Sequence, residues 1–450
     1  MASEAATTLF GRLAERWSSV DDDEVPDDAA RVARHCVLDW FACALAGSRE
    51  PLSRILVEQG VAGEGPGPAT LVGRAPMVAP RAAALVNGAA GHALDFDDTH
   101  MLLSGHPTAP VLPALLALAE EHDAAGLAVR TALVAGIEVE CRVGALVAPG
   151  HYRAGWHATG TIGTIGAAAA CARLLRLDAQ RTAHALALAA TQAAGLKASF
   201  GTMAKPLHAG KAAADGLLSA RLAAAGFTGN PALLEAPQGL GEAAGGGTVL
   251  DSSRLDHLAG RWTIRDVLFK YHAACYLTHA SINAALALRS RIVPRDIDAV
   301  EVHVAADSLK VCNIAEPATG LEGKFSLRAT TAMALLGDDT TDTATYSDTR
   351  MRAPDLIALR DRVTVVPEVA RAGTCSKVTV LLSSGDRLEA EDDTGVPAGD
   401  LAVQEERLAS KFLGLAVPVI GAARARRLRD AITQLDTQTF IGSLTALARP

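Results

Sequence analysis

The chain has 450 residues, of which 49% are hydrophobic, and its formal net charge is −8. A chain of this length can bury a large core and is expected to form two or more domains. The acidic balance excludes a chain-wide basic surface for nucleic acid, so a small anionic substrate would need locally placed lysine, arginine or histidine.

The cysteines and the N-terminal residues predict a compartment. The seven cysteines are scattered and include no Cys-x-x-Cys pair, which argues against a disulfide framework, a zinc ribbon or an iron–sulfur ligand run. The first residues, MASEAATTLF, lack the basic and apolar regions of a signal peptide, and no apolar stretch has the length of a membrane span. We therefore expect a soluble, cytoplasmic protein without membrane contacts.

Helical periodicity dominates the first part of the chain. The predicted helices cover residues 4–19, 27–46, 79–94, 111–122, 128–147, 160–175, 178–196 and 210–225. Gly47 is the expected C-cap of the second helix. The abundant alanine and glycine favour helices that approach one another closely.

The pattern becomes mixed after Trp262. Alternating apolar residues predict strands at 299–304, 363–366 and 378–382, with a hairpin turn at Ser384 and Gly385 and helices at 273–289 and 326–336. Helical periodicity returns from about Leu401. The predicted fold class is mainly α, with a large all-helical domain formed by residues 1–266 and 403–450 and a smaller α+β domain formed by residues 267–402.

One polar stretch between helices, residues 91–113 (GHALDFDDTHMLLSGHPTAPVLP), concentrates ionisable side chains. It contains His92, Asp95, Asp97, Asp98, Thr99, His100 and His106. Three interpretations fit these residue types: carboxylates that cap the next helix, a Mg²⁺ site, or acid–base chemistry in which a carboxylate tunes a histidine.

Other polar clusters supply further cations and proton carriers. They are His157 after Trp156, Lys205 with His208 and Lys211, Lys270, and Lys324 with Ser326 and Arg328. Taken singly, each is explained more simply as a helix cap, a lysine with a buried stem or a core histidine. His272, Cys275 and His279 have the spacing of one helical face and resemble a zinc site, although a buried cysteine commonly acts as a small hydrophobe.

Together these motifs resemble the MmgE/PrpD family, which includes 2-methylcitrate dehydratase, cis-aconitate decarboxylase and iminodisuccinate epimerase. The resemblance is carried by DFDDTH and GHPTAPVLP, then by KPLHAGKAAADG, FKYHAACYLTHAS and GKFSLRATTAMALL, in that order. It implies a homodimer of two-domain subunits, each with a helical domain and an α+β lid. It also implies a cofactor-independent, metal-free active site in the cleft between the two domains.

The resemblance also assigns site residues. Family positions match at Asp95, Thr99, His106, His157, Lys205 and Lys270. Two positions depart, because Cys275 stands where decarboxylase members carry histidine and Ala329 stands where tyrosine is common. The loss of an imidazole and a phenol weighs against decarboxylation of cis-aconitate.

The chemistry of these side chains suggests their roles. Removal of a proton α to a carboxylate builds enolate-like charge, which a nearby cation stabilises. We therefore predict Lys205 and Lys270 as carboxylate clamps, and Thr99 and Cys275 as substrate-binding residues. In this scheme His106, oriented by Asp95, is the general base or acid, and His157 is the complementary acid.

The predicted function is that of a lyase of the 2-methylcitrate dehydratase type, a hydro-lyase that acts on a small carboxylate. Epimerisation or isomerisation of a small dicarboxylate and cis-aconitate-type decarboxylation are the alternatives, because they share an α-carbanion-like species.

Two interpretations from other classes remain. A Mg²⁺-dependent isoprenoid lyase would use the adjacent Asp97 and Asp98 and the DDxxD pattern of Asp338, Asp339 and Asp342, but only 4% of the residues are aromatic. A helical scaffold that dimerises through Ala/Gly faces explains the composition but not the recurrence of histidine and lysine clusters.

Overall fold

The computed structural model describes residues 7–61, 65–247 and 249–450. Over these residues the chain is mainly α-helical, and its contacts divide it into two compact units. The helical unit contains the residues up to Ala93, Asp97–Phe269 and Ala398–Pro450. The mixed unit contains Leu94–Phe96 and Lys270–Pro397, so a three-residue piece of the polar stretch belongs to it.

The elements follow one another in three groups along the chain. The first group, in the helical unit, is α1 (Leu9–Trp17), α2 (Asp27–Gly47), α3 (Pro51–Gly60), β1 (Pro66–Thr70), β2 (Met77–Val78), α4 (Pro80–His92), α5 (Thr108–Glu121), α6 (Gly126–Val147), α7 (Gly150–Arg153), α8 (Ala158–Leu174), α9 (Ala179–Ala190), α10 (Ala204–Ala224), α11 (Leu240–Ala244) and α12 (Ser253–His257). The second, in the mixed unit, is α13 (His279–Arg289), β3 (Ile297–Ala305), α14 (Gly320–Gly323), α15 (Leu327–Leu336), α16 (Asp348–Met351), α17 (Pro354–Arg360), β4 (Val363–Glu368), β5 (Cys375–Leu382) and β6 (Arg387–Asp393). The third, again in the helical unit, is α18 (Leu401–Ile420), α19 (Ala422–Thr433) and α20 (Ile441–Thr445).

Close helix packing forms the core of the helical unit. The helices α4 and α10 cross where Gly88 meets Gly210, and a Cβ on Gly210 would lie 2.1 Å from the carbonyl oxygen of Leu85. Glycine at this crossing therefore lets two backbones touch, as the Ala/Gly-rich sequence indicates. None of the helices in the described part of the chain combines the length and apolar composition that a bilayer crossing requires.

Two sequence predictions about helix ends were wrong. Gly47 is the last residue of α2 rather than a left-handed C-cap, and a Cβ there would lie 2.0 Å from the carbonyl oxygen of Ala90. Its role is therefore close packing of α2 against α4. The helix predicted at 273–289 begins only at His279, because the backbone at Cys275 is extended, with φ −55° and ψ 135°.

The mixed unit is built around a four-stranded sheet in the order β4-β3-β5-β6. The strand β3 runs parallel to β4 and antiparallel to β5, and Val302 lies opposite Val365 and Val378. The predicted hairpin joins β5 to β6, which pair antiparallel. Gly385 has φ +90° in this turn, a conformation that glycine adopts at little cost.

Candidate active site

The polar stretch is a tightly held loop between α4 and α5. The backbones of Thr99 and Leu268 exchange two hydrogen bonds of 2.8 Å, and the N–H of His100 donates to the carbonyl of Gly105 at 2.9 Å. The hydroxyl of Thr99 donates to the same carbonyl at 3.0 Å. The structure thus gives Thr99, a predicted substrate-binding residue, a part in shaping the loop before His106.

A buried carboxylate, Asp97, lies between two imidazoles of this loop. His92 Nδ1 is 2.9 Å and 3.0 Å from its two oxygens, and His106 Nδ1 is 3.1 Å from Oδ2. Burial would raise the pKa of the Asp97 carboxyl, but the two histidines hold that pKa well below its usual value. Burial also lowers the pKa of His92 to about 4, so its ring is neutral near pH 7.

The sequence analysis named Asp97 and His92 in the polar stretch but did not assign either of them a role at His106. It assigned Asp95 to orient His106, whereas the structure places the Asp97 carboxylate against His106 and gives Asp95 an ion pair with Lys270. The residue types alone cannot choose between carboxylates two positions apart. Asp95 has φ +52°, and this left-handed turn is not evident from the sequence pattern.

The next residue, Asp98, has the opposite ionisation. Its carboxyl accepts a hydrogen bond of 3.2 Å from the N–H of Thr108, the first residue of α5, and also contacts the Thr108 hydroxyl. Burial, followed by the charge of Asp39, raises the pKa of Asp98 to about 8. The capping interpretation therefore describes Asp98, whereas Asp97 has the setting of an acid–base partner.

A second pair of histidines lies in the same unit. His157 precedes α8, and its Nδ1 is 3.1 Å from His208 Nδ1 on α10. Its ring stacks against His92 with centroids 5.6 Å apart and contacts Phe200 edge-on at 5.0 Å. Lys205 Nζ lies 5.0 Å from the centroid of Phe200.

The electrostatics of this group keep His157 neutral. Burial, followed by the nearby charge of Lys205, lowers the pKa of His157 well below its usual value. A neutral imidazole accepts a proton more readily than it donates one, which differs from the predicted role of His157 as the acid. The predicted residues His106, His157 and Lys205 all belong to the helical unit.

The mixed unit holds the other predicted cation, Lys270. Its Nζ donates to the backbone carbonyl of Asp95 at 2.7 Å and to Asp95 Oδ1 at 3.0 Å, and the two side chains are 1% and 7% exposed. Lys324 Nζ donates to the carbonyl of Leu94 at 3.0 Å. Both amines therefore fix the left-handed turn at Asp95.

The helical-face spacing behind the zinc interpretation of His272, Cys275 and His279 is not present, because the helix begins only at His279. The two ring nitrogens of His272 each lie 2.8 Å from an oxygen, one on Thr340 and one on Asn283. The N–H of Cys275 donates to the carbonyl of Lys324 at 2.9 Å.

The sulfur of Cys275 hydrogen-bonds with that of Cys312. Ala329, at the other position that departs from the family, is fully buried in α15. Neither position therefore presents the imidazole or phenol of the family pattern.

The DDxxD carboxylates have structural partners. Asp338 pairs with Arg350 at 2.8 Å, Asp339 accepts from the N–H of Thr341 at 2.9 Å, and Asp342 accepts from the N–H of Ala344 at 2.9 Å. These contacts are an ion pair and two turn caps.

His92, Asp97 and His106 belong to a group of side chains that lie close enough to share a metal ion. In both rings Nδ1 already faces the Asp97 carboxylate. An ion in this part of the helical unit would therefore have to bind an Nε2 atom or displace one of these contacts.

Comparisons with known proteins agree on one family. Residues 11–252 match the MmgE/PrpD N-terminal domain, and residues 272–437 match the MmgE/PrpD C-terminal domain. The chain is 30% identical over 480 residues to cis-aconitate decarboxylase from Aspergillus terreus (strain NIH 2624 / FGSC A1156), covering 99% of this chain and 96% of that protein.

Two further relatives have similar names. The identity is 27% to cis-aconitate decarboxylase-like protein oryM from Aspergillus oryzae, over 94% of each chain. It is 35% to cis-aconitate decarboxylase from Mus musculus, over 48% of this chain and 45% of that protein. The two domain matches span most of the sequence, and the chain belongs to the MmgE/PrpD family.

Proposed function

We propose that this protein is a cofactor-independent lyase that transfers a proton at the carbon α to a carboxylate of a small organic acid, and that the reaction is the removal of water. The assignment to the lyases is supported by the relatives, which are named as decarboxylases. A decarboxylase cleaves a C–C bond without hydrolysis and is therefore a lyase. The observation that carries the proposal is the contact between the ionised Asp97 carboxylate and His106.

Proton abstraction is assigned to His106. Its Nδ1 faces Asp97, so Nε2 is the nitrogen that takes the substrate proton, and Asp97 stabilises the positive charge that the ring then carries. His106 is 9% exposed, whereas His92 and His157 are 1% and 2% exposed, so His106 is the most accessible of the three. Lys205, a compact cation, would stabilise the enolate-like charge on the substrate carboxylate.

Loss of water completes the reaction. The electron pair of the broken C–H bond forms the C=C bond while the C–O bond to the leaving hydroxyl breaks. The imidazolium of His106 returns its proton to that oxygen, so water leaves and the enzyme regains its starting state. This assignment does not need His157 to begin as an acid, which agrees with its depressed pKa.

Decarboxylation of cis-aconitate is the second candidate, because the relatives carry that name. It requires the reverse order of protonation: the C–C bond to the departing CO₂ breaks, and the resulting carbanion takes a proton from His106 that is protonated at the start. The family departures at Cys275 and Ala329 remain the argument against it. Epimerisation of a small dicarboxylate would share the abstraction step of the hydro-lyase.

A product analysis tests the proposal. The EDTA-treated protein is incubated separately with 2-methylcitrate, citrate, cis-aconitate, iminodisuccinate and simpler 2- or 3-hydroxy acids, and products are followed by proton NMR and CO₂ release. An unsaturated acid formed from a hydroxy acid supports the hydro-lyase. CO₂ from cis-aconitate without any dehydration replaces it with the second candidate, and no turnover of any of these acids overturns the proposal.

A further inference from the structure

We propose that His92 is a positioning residue for the proton transfer at His106, acting through the Asp97 carboxylate that the two imidazoles share. This inference rests on the proposed function and deepens it, because His92 was not among the predicted site residues. It assigns His92 the task of fixing which nitrogen of His106 carries the proton.

The hydrogen-bond geometry supports this role. An ionised carboxylate only accepts hydrogen bonds, so His92 Nδ1 must carry hydrogen to bond Asp97, and His106 Nδ1 pairs with the same carboxylate at 3.1 Å only in a form that carries hydrogen there. His92 Nδ1 contacts both carboxylate oxygens, at 2.9 Å and 3.0 Å, and so sets the rotation of the Asp97 side chain. Oδ2 is then placed 3.1 Å from His106 Nδ1, and His106 is left with Nε2 as its basic nitrogen.

The surroundings of His92 point to the same role. His92 is the last residue of α4, and its side chain is 0% exposed. Its Nε2 is buried without a hydrogen-bond partner among the described residues. Leaving a buried polar atom unpaired is destabilising, so the placement of this ring needs a structural or functional explanation.

Other buried histidines show the usual arrangement. Both ring nitrogens of His151 are engaged, by the carbonyl of Ala244 at 2.9 Å and by Thr161 Oγ1 at 2.7 Å. His272 is satisfied in the same way. By contrast, among the described residues the His92 side chain hydrogen-bonds only Asp97. Its ring meets His106 edge-on and stacks on His157, with centroids 4.5 Å and 5.6 Å away.

The effect of removing His92 follows from its position. Since the side chain is buried, it does not reach substrate, and its loss should change kcat far more than KM. Asp97 would lose a donor that contacts both of its oxygens and would be less firmly oriented toward His106. At metal sites, loss of the partner that orients a histidine typically costs about 10–100-fold in affinity or activity, and we expect an effect of that size here.

Two substitutions separate positioning from packing. In His92→Asn the amide nitrogen occupies nearly the place of Nδ1 and can still donate to Asp97, whereas His92→Leu keeps an apolar side chain of similar size without a donor. We expect His92→Leu to lower kcat about 10–100-fold with KM within about threefold, and His92→Asn to recover most of the loss. Equal losses in both variants, or kcat within about twofold of wild type in His92→Leu, would overturn the inference.

A matched control is His184→Leu on α9. His184 is half-buried and bonds the carbonyl of Gly229 at 2.9 Å, away from the Asp97 carboxylate. Its substitution should leave kcat unchanged. Urea unfolding of all three variants shows whether a loss of activity reflects a loss of folded protein.

A second readout needs no substrate, so it tests the inference even when the proposed function fails. Long-range ¹⁵N–¹H spectra of histidine-labelled protein report which ring nitrogen carries hydrogen, and the spectrum of His106→Ala identifies the His106 signals. We expect hydrogen on Nδ1 of His106 in the wild type and His92→Asn, and mixed tautomers in His92→Leu. An unchanged His106 signal in His92→Leu would refute the positioning role.

Discussion

The buried ionisable groups of the two units are used differently. In the helical unit, His106 contacts the Asp97 carboxylate and His157 contacts His208. Gain or loss of one proton by a histidine would alter each of these contacts. In the mixed unit, Lys270 and Lys324 donate to backbone carbonyls, and Lys270 also pairs with Asp95. The first arrangement suits proton transfer, and the second stabilises a turn.

Two adjacent residues show the same contrast at smaller scale. Asp97 is held ionised by two imidazoles, whereas burial keeps Asp98 protonated near pH 7. The surroundings, rather than the residue type, therefore decide which carboxylate serves chemistry and which serves structure.

The largest expected effect is on activity in His106→Ala. Loss of the general base should lower kcat/KM about 10²–10⁴-fold while urea unfolding stays close to wild type. His122→Ala removes a half-exposed histidine that lies 3.8 Å from Glu121, and it should retain wild-type kinetics. Equal activity in the two variants would remove His106 from the mechanism.

The adjacent carboxylates should respond unequally to the same change. Asp97→Asn removes the charge that stabilises His106, and we expect kcat to fall about 10–100-fold. Asp98→Asn replaces a protonated acid with an amide of nearly the same shape, so kcat measured at pH 7 should change by less than about threefold. A larger loss in Asp98→Asn than in Asp97→Asn would reverse the assignment of the two residues.

Lys270→Met should affect stability strongly. It leaves the Asp95 carboxylate buried without its cation, which typically costs about 3–5 kcal/mol and is read from urea unfolding. Lys310→Met breaks the exposed pair with Asp307 and should cost less than about 1 kcal/mol. Adding Asp95→Asn to Lys270→Met should recover part of the loss, and no recovery would show that the ion pair is not the cause.

A further expected effect is a difference in pH dependence. Because the pKa of Asp98 is raised to about 8 in the folded protein, the folded state keeps a proton that the unfolded state loses near pH 4. Wild-type stability from this residue is present below pH 4 and is lost as the pH rises toward 8.

Asp98→Asn lacks this dependence. The free energy of unfolding of the variant relative to wild type should therefore rise between pH 4 and 8, by at most about 1.4 kcal/mol per pH unit. Parallel stability curves for the two proteins would show that Asp98 is ionised in the folded state.

The sequence predicts the helical elements and the polar stretch because their periodicity and residue types are local. The start of α13 at His279 was missed because residues 273–278 have helical composition, whereas tertiary hydrogen bonds, such as that from Cys275 N–H to Lys324, hold them in another conformation. Gly47 was misassigned because a glycine needed for packing and a glycine needed for a cap look alike in sequence.

The sequence predicts which residues belong to the candidate site, but it does not predict which of them contact one another. His106, His157 and Lys205 could be named from their motifs, and the choice of Asp97 over Asp95 as the carboxylate at His106 could not. That choice depends on the left-handed backbone at Asp95 and on a lysine 175 positions away. Long-range contacts of this kind have no signature in one sequence.

Cleavage of the C–H bond α to a carboxylate by His106 is the step on which the proposed function depends. It is measured with the preferred acid deuterated at its α-carbon, by following the deuterium of substrate, product and solvent by NMR for wild type and His106→Ala. We expect wild type to release one α-deuteron to solvent for each product molecule and His106→Ala not to do so. Product that retains all of its α-deuterium, or equal release by both proteins, would overturn the role of His106.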